Sequence, residues 1–282
     1  IKGGLNFADR LNTVSPQYAS EIQTEQFGFG LQDLLLQRSS HLSGIMNGID
    51  TDVWNPGRDA HLVQKYNIRS LPKKILNKLA LQKQLALKQD GEIPMIGLIS
   101  RLVQQKGLDL ILDSMPELLK MGLQLVFLGS GEAFYQLELK KLAAANPDSI
   151  AVHIGYDEKL SHQMEAACDL YLMPSLFEPC GLNQLYSLRY GTIPLVTAVG
   201  GLADSVVSYT AETAANNSAT GFVLKTASAA GLLEAVELAL DVYGQKDQWK
   251  QLQLNAMQQD FSWQTSAQEY LRLYQQAVLD TE

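Results

Sequence analysis

The sequence predicts an α/β fold, a parallel sheet with helices on both faces. Three observations predict it. Short apolar runs alternate with amphipathic segments from residue 95 to residue 197, the pattern of repeated strand–helix units. Runs such as Met95-Ile96-Gly97-Leu98-Ile99 carry no polar residue, as expected of strands buried on both faces. The residues with chemistry follow these runs at once, at the carboxyl edge where open α/β sheets bind ligands.

The elements follow in order. Asn47-Gly48 and Asn55-Pro56-Gly57 are turn signals that mark a domain junction. Residues 60–87 read as one or two helices, with Leu76, Leu79, Ala80 and Leu87 on the apolar side. Residues 89–92 are a loop and 95–99 a strand. Residues 108–119 form a helix, with Leu108, Ile111, Leu112, Met115, Leu118 and Leu119 on one side. Strands at 123–128 and 150–154 enclose a helix at 133–144, and a helix at 158–167 leads to a strand at 169–173. The next loop is broken by Pro174 and Pro179, then a helix at 182–190 leads into a strand at 193–197. Residues 221–224 suit a short edge strand, and three amphipathic helices at 227–243, 247–257 and 263–279 close the chain.

Composition narrows the function. The 282 residues are 46% hydrophobic and 18% charged, enough for one large domain or two small ones. A net charge of −8 argues against nucleic acid as a partner. No apolar run approaches the ~20 residues that span a bilayer, and no signal-peptide pattern opens the chain. Cys168 and Cys180 make neither a disulfide framework nor a metal spacing, so a reducing compartment is the simpler expectation. No metal site is expected.

The candidate site residues lie in the loops after the strands. Arg101 and Lys106 put two cations at the mouth of the sheet, which suits a diphosphate; the alternative is a pair of surface charges. Gly131, in a Gly-Ser-Gly turn, permits close backbone approach by a ligand or simply makes a tight turn. Tyr156 suits stacking on a base or packing as a capping aromatic. Glu178 is held extended by Pro179 and suits a neutral, hydroxyl-rich ligand such as a sugar; the alternative is a solvated loop carboxylate. Cys180, Gly181, Leu182 and Asn183 sit at a helix start, where free N–H groups and the helix dipole favour a phosphate. Asn183 can cap that helix, and Asp204 falls at the start of the next, beside its positive dipole end. Trp249 and Trp263 suit core or domain packing, or contact with a ligand or partner.

Phe177-Glu178-Pro179-Cys180-Gly181-Leu182 resembles the signature loop of bacterial glycogen synthases and plant or algal starch synthases. Further stretches match the same family in the same order. They are Met46-Asn47-Gly48-Ile49-Asp50, Ser100-Arg101-Leu102 with Gln105-Lys106-Gly107-Leu108-Asp109, Ile154-Gly155-Tyr156, Gly200-Gly201-Leu202-Ala203-Asp204 and Asp260-Phe261-Ser262-Trp263. The resemblance implies a two-domain GT-B glycosyltransferase that transfers glucose from ADP-glucose to an α-1,4-glucan with retention and releases ADP. This chain would be its C-terminal, donor-binding half, built on a Rossmann-like sheet. Residues 1–45 would be the tail of an N-terminal acceptor domain, 46–261 the nucleotide-sugar domain, and 262–282 a helix packing back toward the first domain. The resemblance also implies roles. Arg101 and Lys106 hold the diphosphate, Tyr156 meets adenine, Glu178 meets glucose hydroxyls, and N–H groups at Cys180, Gly181 and Leu182 reach glucose or phosphate. Where Asn183 stands, family members often carry threonine, so a hydroxyl contact to phosphate is not expected. Lys2 precedes Gly3-Gly4-Leu5 by one residue too few for the family's lysine motif and receives no role. The resemblance implies the bacterial cytoplasm or the plastid stroma. Two readings stay open beside it: another GT-B glycosyltransferase or sugar-nucleotide epimerase, and a nucleotide-binding fragment inactive alone.

Overall fold

A computed structural model describes residues 1–279; the last three residues of the expected closing helix lie outside them. The chain opens with α1 (Lys2–Phe7), β1 (Leu11–Thr13), α2 (Pro16–Glu21), α3 (Gln32–Gln37) and β2 (Leu42–Gly44), and β1 pairs with β2 in parallel. Turns and a 3-10 helix at Ile68–Lys73 lead into α4 (Lys74–Gln84). Then come β3 (Met95–Ile99), α5 (Leu108–Lys120), β4 (Gln124–Gly129), α6 (Ala133–Ala145), β5 (Ile150–Ile154), α7 (Glu158–Ala167), β6 (Leu170–Met173), α8 (Asn183–Tyr190) and β7 (Ile193–Val196). The chain continues through α9 (Gly200–Ser205), α10 (Ala211–Ala215), β8 (Phe222–Val223), α11 (Ala229–Gly244), α12 (Lys246–Met257) and α13 (Trp263–Leu279).

Six strands form one wholly parallel sheet in the order β5-β4-β3-β6-β7-β8. The expected α/β class, with helices on both faces, is the fold observed. Its uninterrupted apolar strands feed both faces by simple alternation. On β4, Leu125 and Phe127 enter one core cluster with α5 and α11, while Val126 and Leu128 enter another with α4 and α7. Helix α5 buries Leu108, Ile111, Met115 and Leu118, the i, i+3, i+4 pattern that marked it in the sequence.

The segment 60–87 corrects the sequence reading. Between residues 60 and 73 no α-helix forms, and the buried face of α4 is Lys74, Asn77, Lys78, Leu81 and Gln82. Leu76, expected inside, is 46% exposed. The reason is hydrogen bonding. Lys74 Nζ donates to Glu165 O, Ala166 O and Thr192 Oγ1 at 3.1, 2.9 and 2.6 Å. Gln82 Nε2 donates to Asp90 O and Gln124 Oε1, both at 2.8 Å. A polar face is buried because its partners gather at the amino edge of the sheet, at the end of α7, the start of β4 and the loops before β3 and β7.

The N-terminal segment joins the sheet domain through α2 and α9. Glu21 Oε1 accepts from Gly200 N at 2.8 Å, and Asp204 Oδ2 accepts from Gln17 N at 2.9 Å. Asp204 therefore lies in the last turn of α9, not beside its N-terminus, and serves the first turn of α2 instead. At the other end of the chain, Asn12 Nδ2 donates to Tyr270 OH on α13 at 3.4 Å.

Candidate active site

The chain runs from β3 outward to β4 and β5, then returns to place β6 on the other side of β3. This switch leaves a crevice at the carboxyl ends of β3 and β6. Its volume is about 230 Å³, and Arg101, Lys106, Glu178, Gly181, Leu182 and Asn183 all border it.

Two loops make the crevice, and backbone fit holds them together. Gly107 adopts φ +73°, and a Cβ there would stand 2.1 Å from Pro174 O, so only glycine lets the loop after β3 touch the loop after β6. Gln105 ties the same two loops: its side chain donates to Phe177 O at 2.8 Å and its carbonyl accepts from Leu176 N at 2.9 Å. A third support lies behind. A Cβ on Gly200 would be 1.9 Å from Glu178 O, and one on Gly201 2.0 Å from Cys180 O, so the Gly-Gly pair lets α9 abut the signature loop. In front, Phe177 is packed by Tyr18, Phe27 and Phe29 at ring-centre distances of 5.5, 5.7 and 5.9 Å.

Glu178 is 8% exposed, forms an ion pair with Lys106, and accepts from Ser175 Oγ at 3.1 Å. A solvated loop carboxylate is thereby ruled out. Arg101 is exposed and donates to Gln105 Oε1 at 3.0 Å. Gly181 (φ +68°) and Leu182 precede α8. The first-turn N–H groups of a helix lack intrahelical acceptors, and its dipole adds positive potential there. Two cations and this helix terminus outweigh the one carboxylate, so the crevice suits an anion with a neutral polar part lying against Glu178.

Other expected residues stand elsewhere. Asn183 does not cap α8. Its amide turns to the sheet, donating to Ile99 O at 2.8 Å and Tyr171 OH at 2.6 Å, because the end of β3 and the Tyr171 hydroxyl reaching it from β6 lie within its reach. Cys180 is buried, desolvation pushes its thiol up, and it does not border the crevice. Gly131 packs on Leu102, whose carbonyl oxygen would lie 2.2 Å from an added Cβ, and is not part of the crevice wall. Tyr156 is 87% exposed at the end of β5, two strands from β3, so it does not pack as a capping aromatic. Trp249 is core, at 5% exposure. Sequence reasoning missed Ser175, Gln105 and the aromatic cluster around Phe177. The short spacing of Ser175 to Glu178 was one signal, and the place of Gln105 and Phe177 inside the family-like stretches was another. Among the described residues no group of His, Cys, Asp or Glu could hold a metal ion, and no helix is long and apolar enough to cross a membrane.

Comparison with known proteins adds the following. The family described as Glycosyl transferases group 1 matches residues 77–274, and the starch synthase catalytic domain family matches residues 1–37. Glycogen synthase of Cellvibrio japonicus is 54% identical over 274 residues, 97% of this chain and 57% of that protein. Glycogen synthase 1 of Methylococcus capsulatus is 50% identical over 278 residues, 99% of this chain and 56% of that protein. The catalytic domain of starch synthase IV from Arabidopsis thaliana, bound to ADP and acarbose, superposes with a TM-score of 0.92 at 40% identity, covering 98% of this chain and 57% of that one. The chain thus spans a little over half the length of these relatives.

Proposed function

The chain belongs to the group 1 glycosyl transferases, and from that premise we propose that it is the donor-binding portion of a retaining, ADP-glucose-dependent α-1,4-glucan synthase of the glycogen and starch synthase type. One observation carries this reading: Arg101, Lys106 and the α8 terminus converge on Glu178 in one crevice at the sheet's switch point. Arg101 and Lys106 grip the diphosphate, and the α8 N–H groups add to the same field. Glu178 accepts hydrogen bonds from glucose hydroxyls and orients the sugar. The bond from the sugar's anomeric carbon to ADP breaks, and a bond to the acceptor's hydroxyl oxygen forms on the same face. The hydroxyl proton passes to the leaving diphosphate. Positive charge fixed where ADP departs lowers the barrier. Tyr156, exposed at the end of β5, is the proposed contact for adenine.

Residues 1–45 are proposed as the end of an acceptor-binding domain, 46–261 as the donor domain and 262–282 as the helix that returns to the first. The starch synthase match at residues 1–37 and the Asn12–Tyr270 contact support this division. The proposed partners are ADP-glucose, the glucan acceptor and the rest of that domain, and the proposed location is the bacterial cytoplasm.

Calorimetric titration with ADP, with UDP as control, tests the donor assignment. ADP should bind and UDP should not. Arg101→Ala should weaken ADP roughly tenfold, since a charge-assisted contact contributes on the order of 1.5–3 kcal/mol. Unchanged affinity would remove Arg101 from the diphosphate site. A second reading rests on the coverage of just over half of each relative: this portion binds ADP but transfers nothing by itself. ADP binding without glucan elongation would favour it.

A further inference from the structure

At the opposite, amino edge of the sheet lies a larger cavity of about 400 Å³ that the proposed reaction does not use. Gly91 and Glu92 before β3, Asp169 before β6, and side chains of α4, α11 and α12 enclose it. Four lysines border it, Lys74, Lys78, Lys246 and Lys250, against two carboxylates, Glu92 and Asp169. In a chain of net charge −8 this is a local excess of positive charge.

The lysines divide into two kinds. Lys74 and Lys78 are 6% and 1% exposed, and each ammonium gives its three hydrogens to protein acceptors. They add positive potential but have no hydrogen left for a ligand. The nearby Glu165 does not offset them at neutral pH, because burial raises its pKa to about 8. Lys246 and Lys250 are exposed and one turn apart on α12, so they share a face. Among the described residues Lys246 pairs with Glu92 alone, the two side chains being 59% and 79% exposed, and exposed pairs of this kind are weak. Its ammonium also sits 4.4 Å from the centre of the Tyr243 ring. Tyr243 and Trp249 meet edge to face at 5.1 Å and make a rigid aromatic wall, continued by Leu71, Pro72 and Ile75.

We propose that this cavity binds a small organic phosphate monoester. Lys246 and Lys250 hold the phosphate, which is close to dianionic at neutral pH. The aromatic wall and its apolar neighbours take the organic part. The volume is that of ordinary small-molecule sites.

Phenyl phosphate is the probe, titrated calorimetrically into the protein and two variants. Arg101→Ala/Lys106→Ala removes the cations of the crevice; Lys246→Gln/Lys250→Gln removes those of the amino edge. Binding should survive in the first variant and weaken about tenfold or more in the second. Lys250→Glu should weaken it further than Lys250→Gln, by reversed charge. Inorganic phosphate should bind at the same place more weakly, having no apolar part. Thermal melting of the Lys246 and Lys250 variants, altered only at exposed residues on α12, and of the crevice variant checks that the fold is intact in each. Absence of binding, equal binding in the Lys246→Gln/Lys250→Gln variant, or loss in the crevice variant would overturn the proposal. So would equal affinity for benzyl alcohol, which has the ring without the phosphate.

Discussion

At the amino edge of the sheet, Lys78 is 1% exposed and donates to Gly91 O at 2.8 Å, Asp169 Oδ2 at 2.6 Å and Tyr243 OH at 3.2 Å. Asp169 in turn accepts from Met95 N at 2.8 Å, at the start of β3. At the carboxyl edge, Lys106 pairs with Glu178 alone among the described residues, and both stand beside an open crevice. Each edge thus holds a lysine–carboxylate pair, but only the first is saturated. A buried charge with every donor used is locked, because any change leaves a partner unpaired in a poorly solvating interior. A charge with donors to spare can share a ligand's phosphate with its carboxylate. The difference separates a structural ion pair from a site.

The largest expected effect tests the locked pair. Lys78→Met should cost about 3–5 kcal/mol of stability, because it strands Asp169 without its counter-charge. Equilibrium denaturation measures this, and a loss below about 1 kcal/mol, the scale of an exposed pair, would erase the contrast between the edges. Gly107→Ala comes next. Its φ of +73° and the Pro174 carbonyl in the space of the new Cβ should cost about 1–3 kcal/mol. ADP affinity should fall with it, since the Lys106 loop must move away from the crevice; stability lost without any change in affinity would detach that loop from the site.

Lys106→Ala should weaken ADP by roughly tenfold or more. It should do more harm than Arg101→Ala, because it also leaves the Glu178 carboxylate without its cation beside the incoming phosphate. Calorimetry decides the order, and the reverse order would mean that the Lys106–Glu178 pair does not open for the ligand. Glu178→Gln should lower glucosyl transfer in the full enzyme by about tenfold while changing ADP affinity less. Equal loss in both would move Glu178 from the sugar to a supporting role.

A last prediction concerns pH and the amino edge. Burial raises Glu165 to about 8 and lowers the neighbouring Lys74 to about 8. Between the ordinary carboxyl value of 4.5 and about 8 the folded chain keeps a proton that the unfolded chain has lost, so stability falls as pH rises through that window. Above about 8 and up to 10.5, Lys74 acts the other way, since the unfolded chain then holds the extra proton. Glu165→Gln, neutral at every pH, should flatten the decline below about 8. Denaturation midpoints across that range check it, and an unchanged slope would assign the decline to other groups.

The sequence by itself determined the strand–helix alternation and where its loops fall. Strands β3 and β5 lie at residues 95–99 and 150–154, as their apolar runs predict. The Glu178 loop leads into a helix, as its prolines and the following periodicity predict. These features are local: a period of two or of 3.6 residues is written in neighbouring positions. The tertiary structure decided the rest. It paired Lys106 with Glu178 across 72 residues and turned the polar side of α4 inward toward partners such as Asp169, 91 residues away. It spent the Asn183 amide on Ile99 and Tyr171, set Gly131 against Leu102, and left Tyr156 exposed away from the crevice. Each of these is a choice of hydrogen-bond or packing partner. Such a choice depends on which groups meet in space once the sheet has formed, and no local pattern along the chain encodes it.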